Sequence, residues 1–319
     1  MLFPNKYTHL IDAETWAFIK KTQNWYPPEA VNFPIARQRE VYDDLCQAFA
    51  AKFPNEVETQ DITIAGPQHD IPCRSYSRED NVNENAQILY FHGGGFVVGG
   101  LHSHDSYCAE ICKATGFNLT AIDYRLAPEH IFPADYYDVV AAYRHLINQS
   151  QKPIILLGDS AGGNLAAALA HASRQEVRQP VGQVLVYPTL GSDWTKGSYL
   201  EHAEAPMLTT DEMIYYAKMR TGGDLSMWSQ KELSPLYDAD LTNLPPTIVF
   251  SAQCDPLRDD GFNYCAKIVQ AGGKAQFFEE TGLVHSYLLA RHSVGRAKRA
   301  FENIVTALTL LGQQIWQNP

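Results

Sequence analysis

Apolar positions along the chain recur with two periods, and the places where the period changes divide it. From 86 to 187, short apolar runs alternate with amphipathic stretches. The runs predict strands over 86–91, 118–123, 153–157 and 181–187, and the stretches between them predict helices over 104–115, 132–148 and 162–174. The runs are nearly continuous in apolar residues, Ile154-Ile155-Leu156-Leu157 among them, as strands covered on both faces are. A strand–helix series with links this short predicts a mostly parallel central sheet flanked by helices, the α/β class. After 187 the alternation lapses. Residues 188–243 carry Trp194, Met207, Met213, Tyr215, Tyr216, Met219 and Trp228 without a strand pattern, and read as a helical insertion. The alternation resumes with a strand over 247–252, a helix over 261–271, a strand over 274–279 and a closing helix over 294–316.

Upstream, 57–65 and 71–77 alternate like two strands around Gly66-Pro67. The first 55 residues read as helices broken by prolines. One spans 13–22 with Asp12 as its cap, another spans 35–52, and Pro27-Pro28 separates them. The expected organisation is an N-terminal helical segment over 1–55 and one large α/β domain over 56–319, interrupted by the insertion at 188–243.

The 319 residues are 45% hydrophobic and 19% charged, enough apolar material for a sizeable core and too little charge for a disordered chain. A formal charge of −11 argues against nucleic acid and anionic membranes as partners. No run reaches the roughly 18 apolar residues of a spanning helix. Residues 1–10 show no basic stretch followed by an apolar run, so no secretory signal is seen and a cytoplasmic location is expected. The cysteines at 46, 73, 108, 112, 254 and 265 include no C-x-x-C pair and agree with a reducing compartment. Cys108 and Cys112, one helical turn apart, read as small core residues rather than metal ligands.

The strongest local signal is Gly158-Asp159-Ser160-Ala161-Gly162, placed between an apolar strand and an Ala-rich helix. In that context a G-x-S-x-G match describes a sharp turn that holds a serine oxygen out at the carboxyl end of a sheet. Side chains at Gly158 or Gly162 would collide with the neighbouring strand or helix. His92-Gly93-Gly94-Gly95-Phe96 follows another strand, and its glycines let backbone N–H groups approach a ligand. No Gly-Lys-Ser/Thr follows, which argues against a phosphate loop. The run fits an oxyanion hole in which Gly94, Gly95 and Ala161 donate, with His92 and Gly93 completing the loop.

A serine nucleophile needs a base, and the base needs an orienting carboxylate. Downstream of Ser160 stand His171, His202, His285 and His292. His171 lies on the helix that follows the serine, and His202 in the insertion. His285 lies in a Gly282-containing loop after the last predicted strand and is the preferred base. Asp255, just after the strand over 247–252, is the preferred acid, while Asp259 and Asp260 are expected to cap the next helix.

Together these segments resemble the bacterial hormone-sensitive-lipase-like carboxylesterases, in the subgroup with GDSAG. The resemblance runs from about 86 to 290 and rests on several motifs in order. They are His92 to Phe96, Asp123-Tyr-Arg-Leu-Ala-Pro-Glu-His130, Phe132-Pro-Ala134, Gly158 to Gly163, Ser234-Pro-Leu236, Leu244-Pro-Pro246, Asp255-Pro-Leu-Arg-Asp-Asp-Gly261 and His285. It implies an α/β-hydrolase fold, the same roles for Ser160, Asp255 and His285, and a helical cap made from 1–55 and 188–243. The family usually has Gly-Phe after the histidine, where this chain has Ser286-Tyr287. Tyr124 and its neighbours are expected to buttress the oxyanion loop.

The expected activity is hydrolysis of short- to medium-chain acyl esters through an acyl-enzyme. An amidase or deacetylase with the same triad, and a non-catalytic small-molecule receptor on the same fold, are the alternatives. Phe96, Trp194, Met207, Leu208, Met213 and Trp228 are the expected substrate contacts. No cofactor is expected. No metal is expected either, since His102-Ser103-His104-Asp105 lacks further ligands at matching spacing. The expected partner is a small-molecule ester, without membrane insertion, and assembly as a homodimer is left open.

Overall fold

The computed structural model describes residues 6–79 and 83–316; the first five and last three residues, over which the sequence reading also extends, lie outside them. The apolar runs form one sheet of eight strands: β1 Glu58–Ala65, β2 Asp70–Ser77, β3 Gln87–Phe91, β4 Asn118–Ile122, β5 Ile154–Asp159, β6 Gly182–Val186, β7 Thr247–Cys254 and β8 Ala275–Val284. Their spatial order is β1-β2-β4-β3-β5-β6-β7-β8. β1 and β2 pair antiparallel, as do β2 and β4, and the remaining pairs are parallel.

Ten α-helices connect or cover these strands among the described residues. They are α1 Tyr7–Leu10, α2 Ala13–Thr22, α3 Ile35–Ala48, α4 Asp105–Thr115, α5 Ala134–Gln149, α6 Ala161–Ala172, α7 Ser198–Glu201, α8 Thr210–Arg220, α9 Arg258–Gln270 and α10 Gly295–Gly312. Alternate strand residues face opposite sides, so each strand feeds two cores. Ile88, Tyr90, Ile155 and Leu157 pack with Ile111 of α4 and Ile304 and Leu308 of α10. Leu89, Phe91, Ile154 and Leu156 pack with Val139 of α5 and Leu165 and Leu169 of α6. Each such side chain contributes about 1.5–3 kcal/mol by burial.

Local chemistry sets several boundaries. α2 starts where the sequence predicts because Asp12 accepts a hydrogen bond from the Thr15 N–H at 2.8 Å. α3 stops at Ala48, short of the predicted 52, and Phe49 turns in to pack edge-on against Phe18 at 5.2 Å. α4 ends at Gly116, which takes φ +70° and donates to the Cys112 carbonyl at 2.9 Å. The insertion at 188–243 contains α7, α8 and 3-10 turns at Leu225–Ser229 and Pro235–Tyr237, and no strand among the described residues. The six cysteines are buried and unbridged. No helix among the described residues is long and apolar enough to cross a membrane.

The last strand differs from expectation. It runs to Val284 rather than ending near 279, so His285 leaves the strand end directly and not from a loop. Gly282, read as a loop signal, sits inside β8 at φ +70°, near where the ladder with β7 changes register between Ala252 and Cys254. Its N–H donates to Gln253 Oε1 at 2.8 Å. A bulge uses a left-handed glycine inside a strand, and so mimics a turn in sequence.

Candidate active site

β5 passes into α6 with no intervening loop, and Ser160 makes the turn at φ +52°, ψ −115°. A non-glycine residue in that region costs about 1–3 kcal/mol, which the surroundings must hold. They do so through close backbone packing. A Cβ on Gly158 would strike the Gly162 carbonyl, and one on Gly162 would strike the Phe91 carbonyl of β3. The Ser160 N–H donates to the Val186 carbonyl at 2.8 Å.

Adjacent strands β7 and β8 deliver two further groups. Asp255 follows β7 and His285 follows β8. His285 Nε2 lies 2.9 Å from Ser160 Oγ, and Nδ1 lies 2.7 Å from Asp255 Oδ2. Asp255 is fully buried, and its Oδ1 accepts from the Leu257 N–H at 2.9 Å. With Asp255 accepting, the imidazole proton belongs on Nδ1 and Nε2 is free to take the serine proton. The Tyr187 ring, 4.7 Å from the imidazole, limits its swing. The other histidines downstream are engaged elsewhere. His171 bonds Asp238 and Tyr264, His202 lies between Tyr7 and Arg258, and His292 meets Glu110.

Asp259 and Asp260 do not cap α9. Asp259 accepts from the Ser198 N–H at 2.9 Å, and Asp260 accepts from the N–H groups of Leu190 and Gly191. They tie the insertion to the domain, and burial pushes the Asp260 carboxyl up to about 6.

The glycine loop after β3 curls over the serine. Gly94 and Gly95 take φ +118° and +60°. Among the described residues, no hydrogen bond occupies the N–H groups of Gly94, Gly95 or Ala161. Gly93 differs, because its N–H donates to Asp159 Oδ1 at 3.1 Å. His92 Nδ1 bonds the Gly93 carbonyl at 2.7 Å, and its ring stacks on Tyr124 at 4.3 Å. Burial pushes the His92 imidazole down to about 3, so it is neutral. The Gly93 N–H is therefore taken up within the loop, and the His92 ring braces it. Tyr124 does buttress the loop, since its hydroxyl donates to the His92 carbonyl at 2.7 Å. Asp159, unassigned by sequence reasoning, links both halves. It accepts from Tyr90 Oη at 2.6 Å and from Gly93, while neighbouring His104 holds its carboxyl below the usual range despite burial. His104 is thus tied to Asp159 and to Ser103, and Asp105 to Arg74 and Tyr76. Among the described residues no His/Cys/Asp/Glu cluster is arranged for a metal.

A cavity of about 290 Å³ opens at Ser160. Of the residues expected to contact substrate, Phe96, Met207, Leu208, Met213 and Trp228 line it. Trp194 does not. Its ring sits behind Trp228, 5.1 Å away, because both belong to one aromatic cluster and only the inner member meets the cavity. Ser286, where the family usually has glycine, also lines it and takes the left-handed φ of +59°. Sequence reasoning missed Tyr26 and Tyr42 from the N-terminal segment and Thr209, Glu212 and Tyr216 from the insertion. Thr209 and Glu212 are legible as a capping box for α8, but nothing in the pattern says that this box faces a cavity.

The N-terminal segment and the insertion meet directly. Tyr7 Oη lies 3.1 Å from His202 Nδ1, Gln38 Nε2 donates to Tyr215 Oη at 2.9 Å, and Tyr26 Oη lies 3.4 Å from Tyr216 Oη. Arg39 anchors α3 to the segment after the glycine loop by bonding the Val97 carbonyl at 2.9 Å and the Glu129 carboxylate. Arg220, fully buried at the end of α8, pairs with Asp135 at 2.7 Å and lies 3.7 Å over the Phe96 ring.

A profile for a family described as alpha/beta hydrolase fold matches residues 88–289. The chain is 36% identical to Carboxylesterase NlhH of Mycobacterium tuberculosis over 229 residues, covering 69% of this chain and 72% of the relative. It is 30% identical to Ethyl acetate hydrolase of Pseudomonas putida over 250 residues, covering 75% and 78%. An ester hydrolase from the metagenome of Lake Arreo, solved with a bipyridine phosphonate derivative, superposes with a TM-score of 0.87 at 29% identity over 95% of this chain and 99% of that one. The serine turn, the glycine loop and both strand ends that carry Asp255 and His285 fall inside the matched region, and the chain belongs to the hormone-sensitive-lipase-like family of α/β hydrolases.

Proposed function

We propose that the chain is a serine carboxylesterase acting on short- to medium-chain acyl esters through Ser160, His285 and Asp255. The observation that carries this is the continuous hydrogen-bond path from Asp255 through His285 to Ser160 Oγ, at the floor of a mostly apolar cavity. In the first step Ser160 Oγ attacks the ester carbonyl as His285 takes its proton. Gly94, Gly95 and Ala161 donate to the oxyanion, a contribution of about 3–4 kcal/mol per donor. Asp255 holds the imidazole and stabilises its charged form. His285 then protonates the leaving alcohol, and water repeats the attack on the acyl-enzyme.

The size of the cavity supports this preference. About 290 Å³ lies at the lower edge of the roughly 300–1,000 Å³ typical of small-molecule sites, which favours a small ester over a long acyl chain. The names of the relatives, an ethyl acetate hydrolase and a carboxylesterase, support the same substrate class.

Turnover of p-nitrophenyl esters from acetate to palmitate tests this, with Ser160→Ala alongside. The expected optimum is at butyrate or shorter-to-medium chains, and Ser160→Ala lowers kcat at least about 10,000-fold while the far-ultraviolet dichroism is retained. Near-normal turnover by purified Ser160→Ala would overturn the nucleophile. Palmitate cleaved faster than butyrate would overturn the chain-length reading.

A further inference from the structure

The cavity is mostly apolar, and away from Ser160 and His285 its wall carries one acidic group. Glu212 is its only acidic lining residue besides Asp159, whose oxygens face Tyr90, Gly93 and His104. No lysine or arginine lines it among the described residues. Glu212 Oε2 is occupied by the capping box, accepting from the Thr209 N–H at 2.7 Å and from Thr209 Oγ1 at 2.8 Å. Oε1 accepts no hydrogen bond among the described residues. A glutamine closes a capping box as well as a glutamate does, so the cap does not account for the charge.

Three tyrosines share the cavity wall with that carboxylate. Tyr216 lies one helical turn on along α8, on the same face. Tyr26 reaches it from the N-terminal segment, with the two phenol oxygens 3.4 Å apart, and Tyr42 packs on Tyr26 at 6.3 Å. All three rings line the cavity. A carboxylate that shares a wall with electron-rich rings, in a pocket lined by no lysine or arginine among the described residues, is the chemistry that binds ammonium groups. The position is close to the reacting centre, because a Cβ on Gly95 of the oxyanion loop would strike the Tyr216 ring.

We propose that Glu212, with Tyr26 and Tyr216, forms a subsite for a cationic group of the ester substrate, an ammonium carried a few bonds from the scissile carbonyl. This rests on Ser160 being the hydrolytic nucleophile. It adds that the enzyme distinguishes substrates by charge as well as by chain length, favouring amino-alcohol or amino-acyl esters over isosteric neutral ones.

Two isosteric pairs test it. For a charge on the alcohol side, choline acetate is compared with the acetate in which tert-butyl replaces trimethylammonium. For a charge on the acyl side, the methyl ester of trimethylammonio-butanoic acid is compared with its tert-butyl counterpart. The readout is the ratio of kcat/KM within each pair, for the wild type and for Glu212→Gln, which keeps the capping box. The expected result is a ratio of roughly tenfold in favour of the cation in at least one pair, falling toward unity in Glu212→Gln. Equal or faster turnover of the neutral member in both pairs would overturn the subsite, as would a cation preference that survives Glu212→Gln. A wild type that cleaves p-nitrophenyl butyrate but neither member of either pair would overturn the subsite alone, and one that cleaves none of these esters would overturn the esterase reading with it.

Discussion

Replacing Arg220 by methionine removes the largest fully buried side chain among the described residues, and a charge with it. The guanidinium is 1% exposed and its partner, the Asp135 carboxylate, only 3%. Nε sits 2.7 Å from Asp135 Oδ2 and Nη1 2.9 Å from Asn164 Oδ1. Methionine fills most of the volume but leaves Asp135 with only the Tyr136 N–H at 2.7 Å. Breaking a buried pair from one side costs about 3–5 kcal/mol, because the abandoned charge stays desolvated. An unfolding entropy of about 2.1 cal/mol/K per residue, over 319 residues, converts that into a melting point lowered by about 5–7 °C. The double variant Asp135→Asn/Arg220→Met removes both charges, so it loses less than the sum of the two single variants. Calorimetry on the four proteins of the cycle measures this. A single Arg220→Met variant that melts within a degree of the wild type, or strict additivity in the double, would refute the buried-pair argument.

Three further outcomes are expected. Burial holds the imidazoles of His92 and His171 at about 3 and 4, against an ordinary 6.5. The unfolded chain therefore binds more protons than the folded one as pH falls from about 6.5 toward 4, and stability declines in that window. Asp260, raised to about 6, acts in the opposite sense between about 6 and 3.8 and offsets part of the loss. The guanidinium midpoint should be lower at pH 4.5 than at pH 7.5, and a flat or rising midpoint contradicts the assignment. Tyr124→Phe removes the hydrogen bond to the His92 carbonyl while keeping the ring stack. It should cost about 1–3 kcal/mol and lower kcat by less than the roughly 100-fold that loss of an oxyanion donor brings; unchanged stability and kcat would show the bond idle. Met213→Ala, at a 5% exposed wall residue packed on Tyr199, Leu208 and Leu257, should cost about 2–5 kcal/mol. It should also move the optimum acyl chain upward, and a chain-length profile identical to the wild type would show that Met213 does not bound the acyl end.

Legibility in the sequence tracked how local the deciding force was. The strand–helix alternation and the 13–22 helix were readable because period and capping act within a few residues, and Asp12 caps as its position suggests. The glycines around Ser160 were readable for the same reason, since their close packing follows from a turn the sequence declares. Gly282 misled because one left-handed glycine serves a bulge and a loop equally well, and only the partner strand decides. Asp259 and Asp260 misled because their acceptors are filled by N–H groups about sixty to seventy residues away in sequence. Trp194 and Trp228 are alike on the page. Which of them meets the cavity depends on packing within the insertion, and its helices carry no apolar stripe clear enough to rank them. Tyr26, Tyr42 and Glu212 went unread for the same reason, since the cavity exists only where two distant segments meet.

That meeting has a consequence for how the pocket comes into being. The segment carrying α2 and α3 touches α8 through a handful of side-chain contacts, Tyr26 to Tyr216 and Gln38 to Tyr215 among them. Docking of α2 and α3 is in effect an intramolecular binding reaction, whose strength is set by tether length as much as by contact quality. The chain has no finished pocket until residues near 289 have been made, however early its first helices form. Substitutions at the seam then tune substrate choice by changing how much of the time the wall is in place, and they do so without touching Ser160, His285 or Asp255.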